Sequence, residues 1–271
     1  MQGIRSILKN EDLLFLIKVL TPEIEDKQKM IRALREDEEI LEGMLSDERA
    51  LRRLLDEPLS VLRVSPALFF AILLARVKAD LKRQPYTFER SGGFTTALFD
   101  TPQILELLEK KELMAYLTDM LVSFVRINTF STAVRLRKGV WRKVRFSDFD
   151  IDNLVHYGNS IDESYRFAVY KRIADICLFT LGILSPPEQA ENLPPAFPPA
   201  KSRFSIRRSR DDYVVQGVSF YTLASQHREA QARNLSEVLA TLAEKFILAA
   251  KPLAVMSSRY LEPFKDNVFL Q

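Results

Sequence analysis

Ser65-Pro66-Ala67-Leu68-Phe69-Phe70-Ala71-Ile72-Leu73-Leu74-Ala75 is the stretch whose reading decides the fold. A hydroxyl that accepts a bond from an orphan backbone N–H stands directly before a proline, which has no N–H to leave unsatisfied at the first helical position. The apolar run 67–75 is the longest in the chain and stops at Arg76. A membrane-spanning helix needs about twenty apolar residues, so this one is expected to lie in a protein core, over 66–83, without membrane insertion.

The same start signal recurs at Thr21-Pro22 and Thr101-Pro102, and Ser160 with Glu163 and Asn234 with Glu237 have the spacing of capping boxes. Together with apolar residues at helical spacing, these signals predict helices over 10–20, 22–36, 37–57, 66–83, 102–128, 148–157, 161–181, 205–232 and 235–261. Acid-to-base pairs such as Glu23/Lys27, Glu25/Lys29 and Glu48/Arg52 mark 23–57 as a solvated helical face. Pro252 removes one backbone bond and should kink the last helix near Leu248.

Two stretches break the helical pattern. In 132–146, Val134 and Leu136 alternate with Arg135 and Arg137, Lys138-Gly139 offers a turn, and alternation resumes through Val144 and Phe146. That predicts one small β-hairpin. Residues 185–201 carry six prolines and are expected to form an extended connection. The expectation is therefore an all-α multi-helix bundle with one hairpin near 132–146. Its parts are a helical domain over 1–184, a Pro-rich connection over 185–203, and a C-terminal helical pair over 204–271 packing on the main domain.

Composition narrows the chemistry. In 271 residues, 47% are hydrophobic and 28% charged, an ordinary balance for a chain with a buried core. A single cysteine, Cys177, excludes an internal disulfide framework and a cysteine-based zinc site, and two histidines leave little for metal or triad chemistry. Asp148-x-Asp150-x-Asp152-Asn153 imitates the opening of a calcium loop but has Asn153 and Asn159 where that loop needs glycine and glutamate. Ser91-Gly92-Gly93 lacks the lysine and glycine spacing of a phosphate loop and reads as a simple connection. No metal, cofactor or catalytic residue is expected, and the reading argues against an enzyme. The unpaired cysteine and the lack of an export signal at 1–9 point to the cytoplasm.

Asp175 stands among Ile173, Ile176, Cys177 and Phe179 on a helix. A buried carboxylate is costly unless it is paired or hydrogen-bonded, so Asp175 is expected to be a structural buried acid with a basic or hydroxyl partner from another segment.

Three segments carry a family likeness. They are Tyr116-Leu117-x-x-Met120-Leu121-Val122-x-Phe124-Val125-Arg126, then Tyr170-Lys171-Arg172-Ile173-Ala174-Asp175-x-x-Leu178-Phe179-x-x-Gly182-Ile183, and 239–260 with Leu242-Ala243-x-x-Phe246 and Arg259-Tyr260. Together they resemble a set of uncharacterised bacterial all-helical proteins whose middle segment reads Gly-Asp-x-x-Leu-Phe-x-x-Gly. Here Ala174 replaces the first glycine and Leu184-Ser185-Pro186 replaces the usual Phe-Pro-Glu ending. The resemblance covers the second half of the chain, implies a helical fold, and transfers no activity.

Charge is the remaining signal. Between Asp119 and Asp148 lie Arg126, Arg135, Arg137, Lys138, Arg142, Lys143 and Arg145 with no acid, and between Glu191 and Asp211 lie Lys201, Arg203, Arg207, Arg208 and Arg210. The net charge of +3 hides this polarity, for without those twelve bases the rest of the chain carries −9. The expected function is a non-enzymatic, cytoplasmic, helical protein-interaction or scaffold module that binds another protein, an acidic one, or itself. The alternative is a nucleic-acid-binding protein using 126–145 and 201–210, with Trp141 as a stacking surface beside the bases. In both, the two basic stretches are expected to meet as one binding patch; the competing arrangement sets the acidic 23–57 region against them, giving internal pairing and no external site.

Overall fold

A computed structural model describes residues 3–56, 64–84, 87–91, 94–98, 100–125, 129–137, 140–147, 149–184, 208–262 and 268, its strands by their backbone. Contacts divide the chain into two compact units. Unit 1 comprises 1–87, 98–125 and 259–269, and unit 2 comprises 88–97, 126–258 and 270–271.

Unit 1 holds α1 (Asn10–Leu20), α2 (Lys27–Glu36), α3 (Glu38–Ser46), α4 (Glu48–Asp56), α5 (Pro66–Arg83), α6 (Thr101–Glu109) and α7 (Lys111–Ser123). α5 is its centre. Leu68, Phe70 to Leu74 and Val77 have no solvent exposure, and α3, α4, α6 and α7 all pack on it. A helix apolar on every side is stable only when enclosed, and the flanking helices, each with a narrower apolar stripe, supply the enclosure. Ser65 caps α5 as its position predicts, accepting from the Leu68 N–H at 3.1 Å. Asp12 ties α1 to the same point. Its carboxylate accepts from the backbone N–H of Lys9 and of Ser65.

Elsewhere the starts and stops differ from the sequence reading. Thr21 ends α1, donating its hydroxyl to the Ile17 carbonyl, and Asp26 caps α2 instead. The stretch 37–57 breaks at Asp47, and 102–128 breaks at Lys110. At the first break the Asp47 carboxylate accepts from the Arg49 N–H and bonds its guanidinium, which satisfies a new helix start. Thr101 lies inside α6, after the N-cap Asp100.

Unit 2 holds α8 (Ile151–Ser160), α9 (Phe167–Phe179), α10 (Arg210–Gln226), α11 (Arg228–Ala232), α12 (Ser236–Glu244) and α13 (Phe246–Met256). The expected helix 161–181 begins at Phe167, because Ser160 closes α8 by donating to the Tyr157 carbonyl rather than opening a new helix. α8 is capped by Asp150, one of the acids of the calcium-loop imitation, through the Asn153 N–H. The two long helices expected at 205–232 and 235–261 are four. His227 caps α11, and Lys245 separates α12 from α13. The break thus falls ahead of Leu248, and Pro252 is buried inside α13. Asn234 takes a left-handed backbone conformation (φ 53°) before α12, so it turns the chain rather than capping the helix.

The core of unit 2 rests on two close approaches to glycine. A Cβ on Gly217 of α10 would meet the Phe246 ring at 2.1 Å, and one on Gly182 would meet the Leu253 Cβ at 2.5 Å. Gly182 lies in a π-helical turn, Thr180–Leu184, that extends α9. Its Ile183 carbonyl is satisfied by the Ser257 hydroxyl at 2.9 Å. α9, expected in the first domain, thus shares a unit with α10, expected in the C-terminal one.

The fold class is all-α, defined by these helices. Among the described residues the strands are β1 (Thr87–Ser91) beside β2 (Phe94–Leu98), and β3 (Thr129–Arg137) antiparallel to β4 (Val140–Ser147). The segment 185–203 lies outside the described residues. No helix among the described residues is long and apolar enough to cross a membrane.

Candidate interaction surface

α9 and α10 run antiparallel. Phe167 stands by His227 (5.7 Å between ring centres), Tyr170 by Phe220 (5.9 Å), and Asp175 by Tyr221. Asp175 is 1% exposed. Its Oδ1 accepts from the Tyr221 hydroxyl at 2.8 Å and its Oδ2 from Lys171 Nζ at 2.8 Å, one helical turn earlier. The cross-helix hydroxyl and the i,i+4 ammonium give the buried carboxylate charge and hydrogen bonds together, the condition under which such burial is stable. The nearby Cys177 is fully buried and its thiol is pushed up to about 12 by burial, and by Asp175 against the opposing charge of Arg208. A thiol so held is not a nucleophile at neutral pH.

Of the expected basic patch, Arg126, Lys138, Arg203 and Arg207 lie outside the described residues, as does Lys201. Arg135 and Arg137 lie on β3, and Trp141, Arg142, Lys143 and Arg145 lie on β4. In the register, Arg135 is opposite Trp141, Ala133 opposite Lys143, and Ser131 opposite Arg145. Arg208 is half-buried and ion-paired to Asp152 of α8, while Arg210 is the exposed first residue of α10. Asp152 is an acid of the same chain but lies outside the 23–57 region weighed as an internal partner for the basic stretches.

Unit 1 contains a polar cluster that sequence reasoning missed. Asp80 of α5 lies 3.1 Å from Arg76 Nε and 3.5 Å from an Arg259 nitrogen, and accepts from the Tyr260 hydroxyl; Arg259 also donates to the Gln84 side chain at 2.8 Å. Burial, then the Asp80 bond, raises the Tyr260 phenol above its ordinary value, with Arg76 opposing. In the sequence the cluster shows only as the i,i+4 spacing of Arg76 and Asp80 and as the Arg259-Tyr260 pair of the third family-like segment. Tyr260 is 180 residues away. The cluster fastens the chain's return onto α5. A crevice beside α3 and α5, lined by Ile4, Leu41, Leu45, Glu38 and Lys111 among others, has a volume of about 20 Å³, room for one water.

His227 was also missed as a fastener. Its Nδ1 accepts from the Glu229 N–H at 3.1 Å and its Nε2 is 2.9 Å from the Glu163 carbonyl. Among the described residues, no group of three or more His, Cys, Asp and Glu is arranged to hold a metal ion.

Among the described residues, helical surface is open to partners. α13 is apolar nearly all round, with Lys251 its one charge, yet Ile247 is 48% exposed, Ala254 is exposed, and Leu248 and Val255 are half-buried. α10 likewise exposes Val215 and Leu223 while burying Tyr213, Gly217, Tyr221 and Ala224 on its other side. Compared with family models, curated proteins and solved structures, the chain matches none.

Proposed function

We propose that this protein is a non-enzymatic helical interaction module that holds another protein against unit 2, working in the cytoplasm, where its lone cysteine stays reduced. The observation that carries the reading is the outer face of α13. A helix apolar on every side belongs in an enclosed setting, and here Ile247, Ala254 and the half-buried Leu248 and Val255 face outward without one. A protein partner completes the enclosure. The test is recovery of the tagged full chain from its native cells, with and without nuclease, beside the Ile247→Glu variant. The reading expects a protein that survives nuclease and is lost with Ile247→Glu; loss on nuclease treatment alone contradicts it.

The second reading is nucleic-acid binding by the paired strands β3 and β4 together with the basic stretch 201–210. It is favoured by the register, which gives Arg135, Trp141, Lys143 and Arg145 one parity along β3 and β4, the pattern of a cationic face with an aromatic for base stacking. Replacing Arg142, Lys143 and Arg145 with glutamine tests it. Affinity for single-stranded nucleic acid should fall and its salt dependence flatten, with folding stability unchanged. Lower stability with unchanged binding makes the bases structural.

A further inference from the structure

In unit 1 two half-buried arginines, 30 residues apart in the chain, hold each other's backbone. Arg5, in the 3₁₀ turn Ile4–Ser6, donates from Nη1 to the carbonyls of Arg35 at 3.2 Å and Glu36 at 3.1 Å, the last two of α2. Arg35 returns the contact, donating from Nη1 to the Arg5 carbonyl and from Nη2 to the Leu8 carbonyl at 2.7 Å and the Asn10 side chain at 3.0 Å. Every acceptor is a neutral oxygen. These bonds fix both guanidinium groups without cancelling their charge, and among the described residues neither is ion-paired to a carboxylate. Arg5 keeps its Nε–H and Nη2 unspent, the edge with which a guanidinium grips a carboxylate or phosphate through two parallel bonds. Arg35 keeps its Nε–H and one Nη1 hydrogen.

We infer that the cleft these two arginines line is an oxyanion site, taking the phosphate or carboxylate group of a small ligand. The cleft is open, has a volume of about 450 Å³ and is walled by Arg5, Ser6, Arg35 and Glu36, a size within the range of small-molecule sites. The Ser6 hydroxyl is engaged with the Gly3 carbonyl at 2.8 Å, so the unspent donors of the wall belong to the arginines. Two fixed cations stand there against one exposed acid, Glu36, which leaves the cleft positive. The carbonyls that end α2 would repel an anion, and Arg5 takes up two of them. Like charges held in one place repel each other, and an anion between them removes that cost. The site goes beyond the interaction reading, which rests on unit 2 alone.

The test titrates the full chain with sodium phosphate and with sodium acetate at fixed ionic strength, sodium chloride serving as the blank. Amide NMR shifts of Arg5, Ser6, Arg35 and Glu36 are the readout. Saturable shifts at these residues are expected with phosphate, with acetate or with both, and the tighter of the two tells whether the ligand group is a phosphate or a carboxylate. In Arg5→Gln the dissociation constant should rise at least tenfold. That variant also gives up the hold on α2, so Glu36→Gln supplies a second arm. It removes only an exposed carboxylate, leaves the backbone carbonyl that Arg5 uses, and should tighten binding at least twofold. Shifts no larger than those in chloride overturn the inference. Binding that Arg5→Gln and Glu36→Gln both leave unchanged overturns it too, because the anion then sits elsewhere on the chain. A nuclease-resistant protein partner lost with Ile247→Glu would leave the interaction reading standing in either case.

Discussion

At the residue scale the decisive group is Asp175, a carboxylate almost wholly removed from water and bonded to Tyr221 and Lys171. Tyr221→Phe keeps the ring and removes the donor, leaving Oδ1 short of a bond in a buried site. A loss of about 1–3 kcal/mol in urea unfolding is expected; an unchanged midpoint would mean that the bond contributes nothing net. Cys177 gives a second test. Its raised thiol and full burial predict that native protein resists alkylation at pH 8 and reacts only when unfolded, which mass spectrometry with and without denaturant reads directly. Tyr260 gives a pH signature. Its phenol is raised in the folded state, so the protonated form is the one that folding favours. That contribution is complete below the ordinary tyrosine value of about 10 and is lost as pH climbs through the raised folded value. Thermal stability should therefore decline more steeply above about pH 10 in the wild type than in Tyr260→Phe.

At the element scale, two glycines on helices make opposite predictions. Gly43 in α3 is exposed and has nothing within 4 Å of a built Cβ, so Gly43→Ala should stabilise by up to about 1 kcal/mol through helix propensity. Gly217→Ala gains the same propensity but drives a methyl into the Phe246 ring, and a net loss of about 1–3 kcal/mol is expected. Equal effects in thermal unfolding would show that α10 and α13 are not packed as described. The same local view explains what could be read in advance. Ser65-Pro66 and the run behind it specify α5 because cap, proline and apolar residues are contiguous. Asp175 was legible because its own helix neighbours are apolar, but Tyr221 was not, since nothing local to 175 refers to a residue 46 positions away. Thr21-Pro22 misled because a threonine also ends helices by bonding the carbonyl four residues back, and Asp26 outcompetes it as a start. The breaks at Asp47, Lys110 and Lys245 lie within runs whose apolar spacing continues, so periodicity alone reads them as one helix.

At the scale of the whole molecule, the two units set the terms of function. Unit 1 encloses its apolar helix α5, whereas unit 2 leaves apolar residues of α10 and α13 at its surface. Charge is the strongest sequence signal; its described part lies on the paired strands β3 and β4, at Arg208, which Asp152 holds, and at the exposed Arg210. The division itself was hidden from the sequence because unit 1 is assembled from three separated stretches, the last of them clasped by Tyr260 and Arg259 on Asp80. The most direct measurement of the central claim is hydrogen exchange over the full chain, free and in the complex recovered from cells. The account predicts slowed exchange on binding within α10 and α13, with β3 and β4 unchanged. Protection confined to β3 and β4 would contradict it.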